Sequence, residues 1–285
     1  MEKALRTLGA DDVNAVTDQV GAEAIRRFRA ELPALSLAPV VVVIAALDEA
    51  ACIGGVLARI PPHACGLAVD AIVVDDGSRD ATGEIARRHG AYVARRERNG
   101  GQGAALRVGY RLAWEHGARY VVTLDADGQW DPADIPTVLE PVVDGDADFV
   151  LGSRVLGRSE GQDVVRQAGV RVFAVLVRVL TGVRVTDTSS GLRAMVAEVG
   201  VSVRQQQAQY QASELLLGAI FRGYRIAERP VVMHSRSAGV SKKGHNALYG
   251  FRYARVILRT WRRERRSAAA VRQRDTVDVG QARGR

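Results

Sequence analysis

Apolar and polar positions along this chain follow two rhythms. Residues 40–44 (VVVVI), 71–74 (AIVV) and 120–124 (YVVTL) are unbroken runs rich in β-branched side chains, the pattern of strands covered on both faces within a parallel sheet. Each run gives way to acidic or turn-forming residues, and Gly77, Gly128 and Pro132 mark where the chain leaves the sheet. Between the runs, the stretch up to residue 60, residues 82–89 and the stretch up to 117 read as helices; a short strand is predicted near 92–93 and a glycine-rich turn at 99–103. Strands alternating with helices in this way predict an α/β fold: one mostly parallel sheet, with right-handed crossovers, flanked by helices. Residues 4–30 have an amphipathic helical pattern and are followed by a linker containing Pro33 and Pro39. Residues 1–37 are therefore set apart as an N-terminal helical extension, and 38–245 as the core domain.

Two later segments mix apolar faces with arginine. In 164–180, helical spacing puts Val170, Phe173, Ala174 and Val177 on one face, with Arg166, Arg171 and Arg178 elsewhere; a membrane-interfacial helix and a core helix with an arginine rim fit equally. In 249–266, Tyr249, Phe251, Tyr253, Ile257 and Trp261 alternate with Arg252, Arg255, Arg259 and the basic run 262–266, a mixture suited to a membrane–water interface. This predicts a basic membrane-facing helix over 246–267 and a disordered tail over 268–285.

The polar residues that end the apolar runs fall at one place in such a sheet. Pairs 48–49 and 75–76 and the triplet 125–127 all lie at carboxyl ends of strands, outside which open α/β sheets bind their ligands. Asp125 and Asp127, two apart in an extended segment, face one point, and Gln129 continues the alternation. That is an oxygen-rich site for a hard divalent cation, Mg²⁺ or Mn²⁺, which completes its shell with water and substrate phosphates. A bare Asp-x-Asp also describes a solvated turn; three acidic strand ends converging is what favours a ligand site.

Composition narrows the classes. The chain has 285 residues, 47% of them hydrophobic, enough to bury the core of one large domain. Of its net charge of +8, the excess lies at the end: 14 Lys and Arg against 3 Asp and Glu from His234 onward. Such an end suits an anionic membrane surface. Nucleic acid is not an expected partner, because no recognition-helix or RNA-module signature accompanies the charge. Cys52 and Cys65 fit neither a metal spacing nor a disulfide framework, and residues 1–20 lack a signal-peptide core. The longest uncharged run, 32–47, contains two prolines and is too short to span a bilayer. A cytoplasmic protein without a transmembrane helix, peripherally held at the cytoplasmic face of a membrane, is expected.

Taken in order, the strand ends resemble glycosyltransferase family 2: Asp48-Glu49 where the family usually has Asn-Glu, Val74-Asp75-Asp76-Gly77-Ser78, Asn99-Gly100-Gly101-Gln102-Gly103-Ala104-Ala105 and Asp125-Ala126-Asp127. Gly152-Ser153-Arg154, Asp187-Thr188-Ser189-Ser190-Gly191 and the stretch Arg236-Ser237-Ala238-Gly239-Val240-Ser241-Lys242 resemble more narrowly the dolichyl- and polyprenyl-phosphate sugar synthases. The resemblance implies a single GT-A domain, the nucleotide-diphospho-sugar transferase fold. It also implies transfer of a hexose, with inversion, from a nucleoside-diphosphate sugar to a polyprenyl phosphate, with Mg²⁺ or Mn²⁺ as cofactor and room for a membrane-protein partner that flips the product. It implies that Asp125, Asp127 and Gln129 hold metal. Ala45, standing where the family has proline, with Leu47, Glu49, Asp75, Asp76 and Ala126, would line the nucleotide-sugar site, although Asp76 can equally brace its own turn. Gly101 and Gly103 serve a tight turn, for packing or for phosphate. Arg154, Arg236 and Lys242 would meet the donor diphosphate, and Arg154, Arg166 and Arg236 the acceptor phosphate. Glu214 stands where relatives with hydroxyl acceptors keep a catalytic acid–base residue. A soluble transferase with Glu214 or Asp187 as base is thus the alternative, and a non-enzymatic nucleotide- or nucleic-acid-binding module the second.

Overall fold

The three apolar runs lie side by side. β1 (Val40–Ala46) has β3 (Leu67–Asp75) on one edge and β5 (Tyr120–Asp125) on the other, both parallel to it, in the computed structural model, which describes residues 18–160, 164–235 and 246–282. The far edge of β3 is shared by β2 (His63–Ala64), an antiparallel hairpin arm, and β4 (Tyr92–Arg95), which is parallel. Beyond β5 the sheet turns mixed. β7 (Arg193–Val196) is antiparallel to β5 and to β6 (Phe149–Ser159), and β8 (Ile226–Met233) closes the edge parallel to β6.

Register sets the chemistry. Ala45 lies between Val74 and Asp125, and Ala46 opposite Asp75, so three acidic strand ends finish level at one edge of the sheet. Alternation along β1 divides the core. Val41 and Val43 face α1 (Gln19–Glu31), α4 (Gln102–Glu115), α7 (Ala197–Ser202) and α8 (Gln211–Phe221), whereas Val40, Val42 and Ile44 face α2 (Ile53–Leu57), α3 (Thr82–Arg88) and α5 (Ile135–Val143). The helix expected through residue 60 is the single turn and a half of α2. The described part of the N-terminal extension is docked: Ile25 and Phe28 are buried, and Arg29 pairs with Glu115 on α4.

α6 (Val164–Thr181) and α9 (Asn246–Ala282) each turn one of the faces named from the sequence toward the protein. The face of α6 named from the sequence turns inward: Ala174 and Val177 are buried, and Phe173 meets Tyr253 edge-on at 4.4 Å. On α9, Tyr253, Val256, Ile257, Thr260 and Glu264 form a buried stripe, and Trp261 donates from Nε1 to the Leu180 carbonyl at 2.8 Å. A 3.6-residue period marks one face without saying what covers it. Here the cover is protein, because Tyr253 finds partners for its hydroxyl in Thr188 and Ser213. What α6 exposes is the opposite stripe, Val172, Val175 and Val179. α9 runs on to Ala282, through the stretch where a disordered tail is expected. Among the described residues no helix is long and apolar enough to cross a membrane.

Candidate active site

At the end of β5, Asp125 is held from two sides. Its Oδ1 accepts from Gln102 Nε2 at 2.7 Å and its Oδ2 from Trp130 Nε1 at 3.2 Å. A side chain at Gly191 would overlap that carboxylate and the Trp130 ring nitrogen, so glycine there is what lets the 187–191 segment close on the acidic motif. Asp127, nearly buried, accepts the Gln129 amide N–H at 3.1 Å. Gln129 exchanges bonds with His234: its carbonyl accepts from His234 N at 2.8 Å, and its side-chain nitrogen donates to the His234 carbonyl at 3.4 Å. The Gln129 side chain is thus bonded through its nitrogen. The isolated bridge between Trp130 and Met233 is what brings His234 here, a residue that a single histidine at a strand end did not flag in the sequence. Its Nδ1 lies 3.0 Å from Glu160, whose pKa is lowered by that contact.

These residues fit a magnesium or manganese ion. Among the described residues no three His, Cys, Asp or Glu side chains close into a cage, and two carboxylates with one open side suit a hard cation that keeps waters and takes substrate phosphates. Asp125 receives N–H groups on both oxygens, and a carboxylate offers about four lone-pair positions in all.

Behind Asp125 lies Arg154. Its Nε and Nη2 grip Asp187 at 2.6 and 2.9 Å, Nη2 also reaches Ser189 Oγ at 2.6 Å, and Nη1 contacts Met233 Sδ at 3.2 Å, with the guanidinium 5.6 Å above the Trp130 ring. Burial penalises its charge, but the Asp187 carboxylate overcomes that and holds its pKa above the ordinary arginine value. Only Nη1 remains for a ligand, so the expected free phosphate fork is instead a buried pillar with one edge to spare. Asp187 is in turn fixed by Glu228, which accepts the N–H groups of Thr186 and Asp187 at 2.8–3.0 Å.

On the β3 side, Asp75 accepts from Ser78 N at 2.8 Å and Arg95 Nη1 at 3.0 Å, below a cleft of about 710 Å³ lined by Leu47, Asp48, Gly77, Ser78, Arg95 and Asn99 among others. Glu49 follows Leu47 and Asp48 of that lining and donates its N–H to Thr82 Oγ1 at 2.8 Å. Asp76 does not face this cleft. It is buried and takes Arg96 Nη1 at 2.7 Å and the N–H groups of Gly100 and Gly101 at 3.0 and 2.8 Å, so its lone pairs are spent and its role is the turn-bracing one.

Glu214 is fully buried and is engaged through both oxygens. Oε2 accepts the N–H groups of Gln206 and Gln207 at 2.7 and 2.8 Å, and Oε1 pairs with Arg263 at 2.8 Å. Through these bonds it ties the 206–207 loop to α9. Glu214→Gln is expected to cost about 3 kcal/mol of stability, as breaking a buried ion pair does, while transfer by the folded protein changes less than about tenfold. A hundredfold loss of rate at unchanged melting temperature would restore it as a base. Arg236 and Lys242 lie outside the described residues, as does the side chain of Arg166.

Residues 41–198 match the model of glycosyl transferase family 2. A dolichyl-phosphate hexose transferase of Haloferax volcanii is 36% identical over 201 residues, covering 70% of this chain and 85% of that protein. An undecaprenyl-phosphate mannosyltransferase of Micrococcus luteus is 31% identical, covering 61% and 75%. Among solved structures, glucosyl-3-phosphoglycerate synthase from Mycobacterium tuberculosis, in complex with Mn²⁺, uridine diphosphate and glucosyl-3-phosphoglycerate, superposes with a TM-score of 0.60 at 25% identity, over 84% of this chain and 83% of that one. The same enzyme is also known with Mg²⁺ and uridine diphosphate.

Proposed function

The chain belongs to glycosyl transferase family 2 and has its GT-A fold, and from that membership we propose that it moves a hexose, with inversion, from a nucleoside-diphosphate sugar to a polyprenyl phosphate. The observation that carries the reading is the level edge of β3, β1 and β5, where the cleft beside Leu47 and the braced Asp125 stand next to each other. Ala45, Leu47, Glu49 and Asp75 would line the base and ribose end, with Ala126 between the two carboxylates of the acidic motif. Asp125, Asp127 and the Gln129 side chain would hold a divalent cation, which when bound would supply Lewis-acid neutralisation of the leaving nucleotide. Arg154, charged and immobile, adds a fixed positive field on the acceptor side, with Arg166, Arg236 and Lys242 as further phosphate contacts.

No general base is needed. A phosphate monoester has a second pKa of about 6 and is already largely ionised at neutral pH. Asp187 and Glu214, the two carboxylates a hydroxyl acceptor would call upon, are both engaged by arginines. The test compares polyprenyl phosphate with the free polyprenol as acceptors for a panel of uridine and guanosine diphosphate hexoses. Sugar is expected to reach the phosphate only; equal transfer to a hydroxyl would move the protein to the hydroxyl-acceptor class.

The lipid acceptor implies a membrane surface. Val172, Val175 and Val179 of α6, rimmed by exposed Arg171 and Arg178, supply apolar side chains and positive charge for an anionic bilayer at the cytoplasmic face. Changing the three valines to serine is expected to abolish flotation with anionic liposomes and leave donor hydrolysis at the parental rate; undiminished flotation would remove α6 from the interface.

A further inference from the structure

We propose that Arg96 is a positioning residue for Asp125, acting through the glycine turn that starts α4, and that Asp18 at the head of α1 belongs to the same device. The proposal rests on Asp125 as a metal carboxylate. It begins from a buried guanidinium that bridges two elements: Arg96, 1% exposed, gives Nη1 to Asp76 at 2.7 Å and Nη2 to Asp18 at 2.7 and 3.0 Å. Asp18 is also the N-cap of α1, its Oδ1 accepting Gly21 N at 2.7 Å, so the N-terminal helix is pinned to the core by its first turn.

From Asp76 the contacts continue without a gap. Its carboxylate takes the N–H groups of Gly100 and Gly101; Gly101, at φ 88°, caps α4; and Gln102, the first residue of that helix, donates to Asp125 Oδ1 at 2.7 Å. Arg96 also shapes the turn directly, since a side chain at Gly100 would overlap both its terminal nitrogens. An arginine fork has fixed planar geometry, so joining Asp18 and Asp76 through it sets their relative position in a way a lysine cannot. Burial pushes the Asp76 pKa up, and Gly100, Arg96 and Gly101 work against it, so Arg96 helps keep the carboxylate charged and its grip on the turn strong. The consequence is that the position of α1 bears on the orientation of the metal carboxylate.

The test uses the full chain and reads binding of Mn²⁺, followed by its free electron-paramagnetic-resonance signal, in the presence of uridine or guanosine diphosphate. Gln102→Ala, which removes the direct bond to Asp125, is expected to weaken Mn²⁺ binding about tenfold or more. Arg96→Lys and Asp18→Asn should each weaken it about three- to thirtyfold. The decisive reading is the double variant Gln102→Ala with Arg96→Lys. If Arg96 acts through Gln102, the lysine adds no further loss in that background. Gly100→Ala should reproduce the arginine effect by displacing the guanidinium. Arg96→Lys with parental Mn²⁺ affinity and only a lower melting temperature would reduce Arg96 to a structural residue, and full additivity in the double variant would break the route through Gln102. Asp125→Asn serves as control: parental Mn²⁺ affinity there would overturn the metal reading itself, whereas lost affinity there with none lost in the Arg96 and Asp18 variants would overturn only the relay.

Discussion

Replacing Gly191 by alanine is expected to lower sugar transfer by about a hundredfold, because displacing a reacting group by about 1 Å costs that much. The added methyl would occupy space held by the Asp125 carboxylate and the Trp130 ring nitrogen, so one of them must move. Gly191 has no left-handed backbone requirement, so the effect comes from this contact and not from strain. Overpacking of this kind costs about 1–3 kcal/mol, and circular dichroism should show a folded protein. A variant that transfers sugar at the parental rate would show that the 187–191 segment does not set the geometry of the acidic motif.

Asp127→Asn, and separately Asp125→Asn, should each remove about 10²- to 10³-fold of the rate, since each takes a full charge from a hard-cation site that stabilises the departing diphosphate. The two differ in stability. Asp127 accepts the Gln129 N–H, a bond that an asparagine oxygen can also accept. Asp125 takes N–H donors on both oxygens, and an asparagine must point its own NH₂ at one of them. That mismatch costs about 1–3 kcal/mol, so Asp125→Asn should also melt earlier. The measurement is initial rate and melting temperature side by side.

Three strands of the fold were legible because 40–44, 71–74 and 120–124 carry no charge and are apolar but for Thr123, which suits burial on both faces. Their acidic ends were legible for the same reason, since a carboxylate can end such a run but not sit within it. The antiparallel β7 between β5 and β6 was not read: four residues, Arg193–Val196, give too short a pattern. Neither was the inward face of α9, where burial is decided by Thr188 and Ser213, some 65 and 40 residues from Tyr253 in sequence. The role of Asp76 turned on Arg96, 20 residues away, and that of Glu214 on Arg263, 49 residues away. Spacing along the chain singles out these carboxylates; which partners each one takes depends on cations that only the fold brings near.

One measurement bears most directly on the account. The protein is given a labelled nucleoside-diphosphate hexose and polyprenyl phosphate at neutral pH, and the label reaching the organic phase is followed as Mn²⁺ or Mg²⁺ is removed with EDTA and then restored. Lipid-linked sugar should form with metal, stop with EDTA and resume when metal is returned. Label that stays in water with every donor, or that enters the lipid equally well in EDTA, would contradict a metal-assisted transfer to polyprenyl phosphate at Asp125 and Asp127.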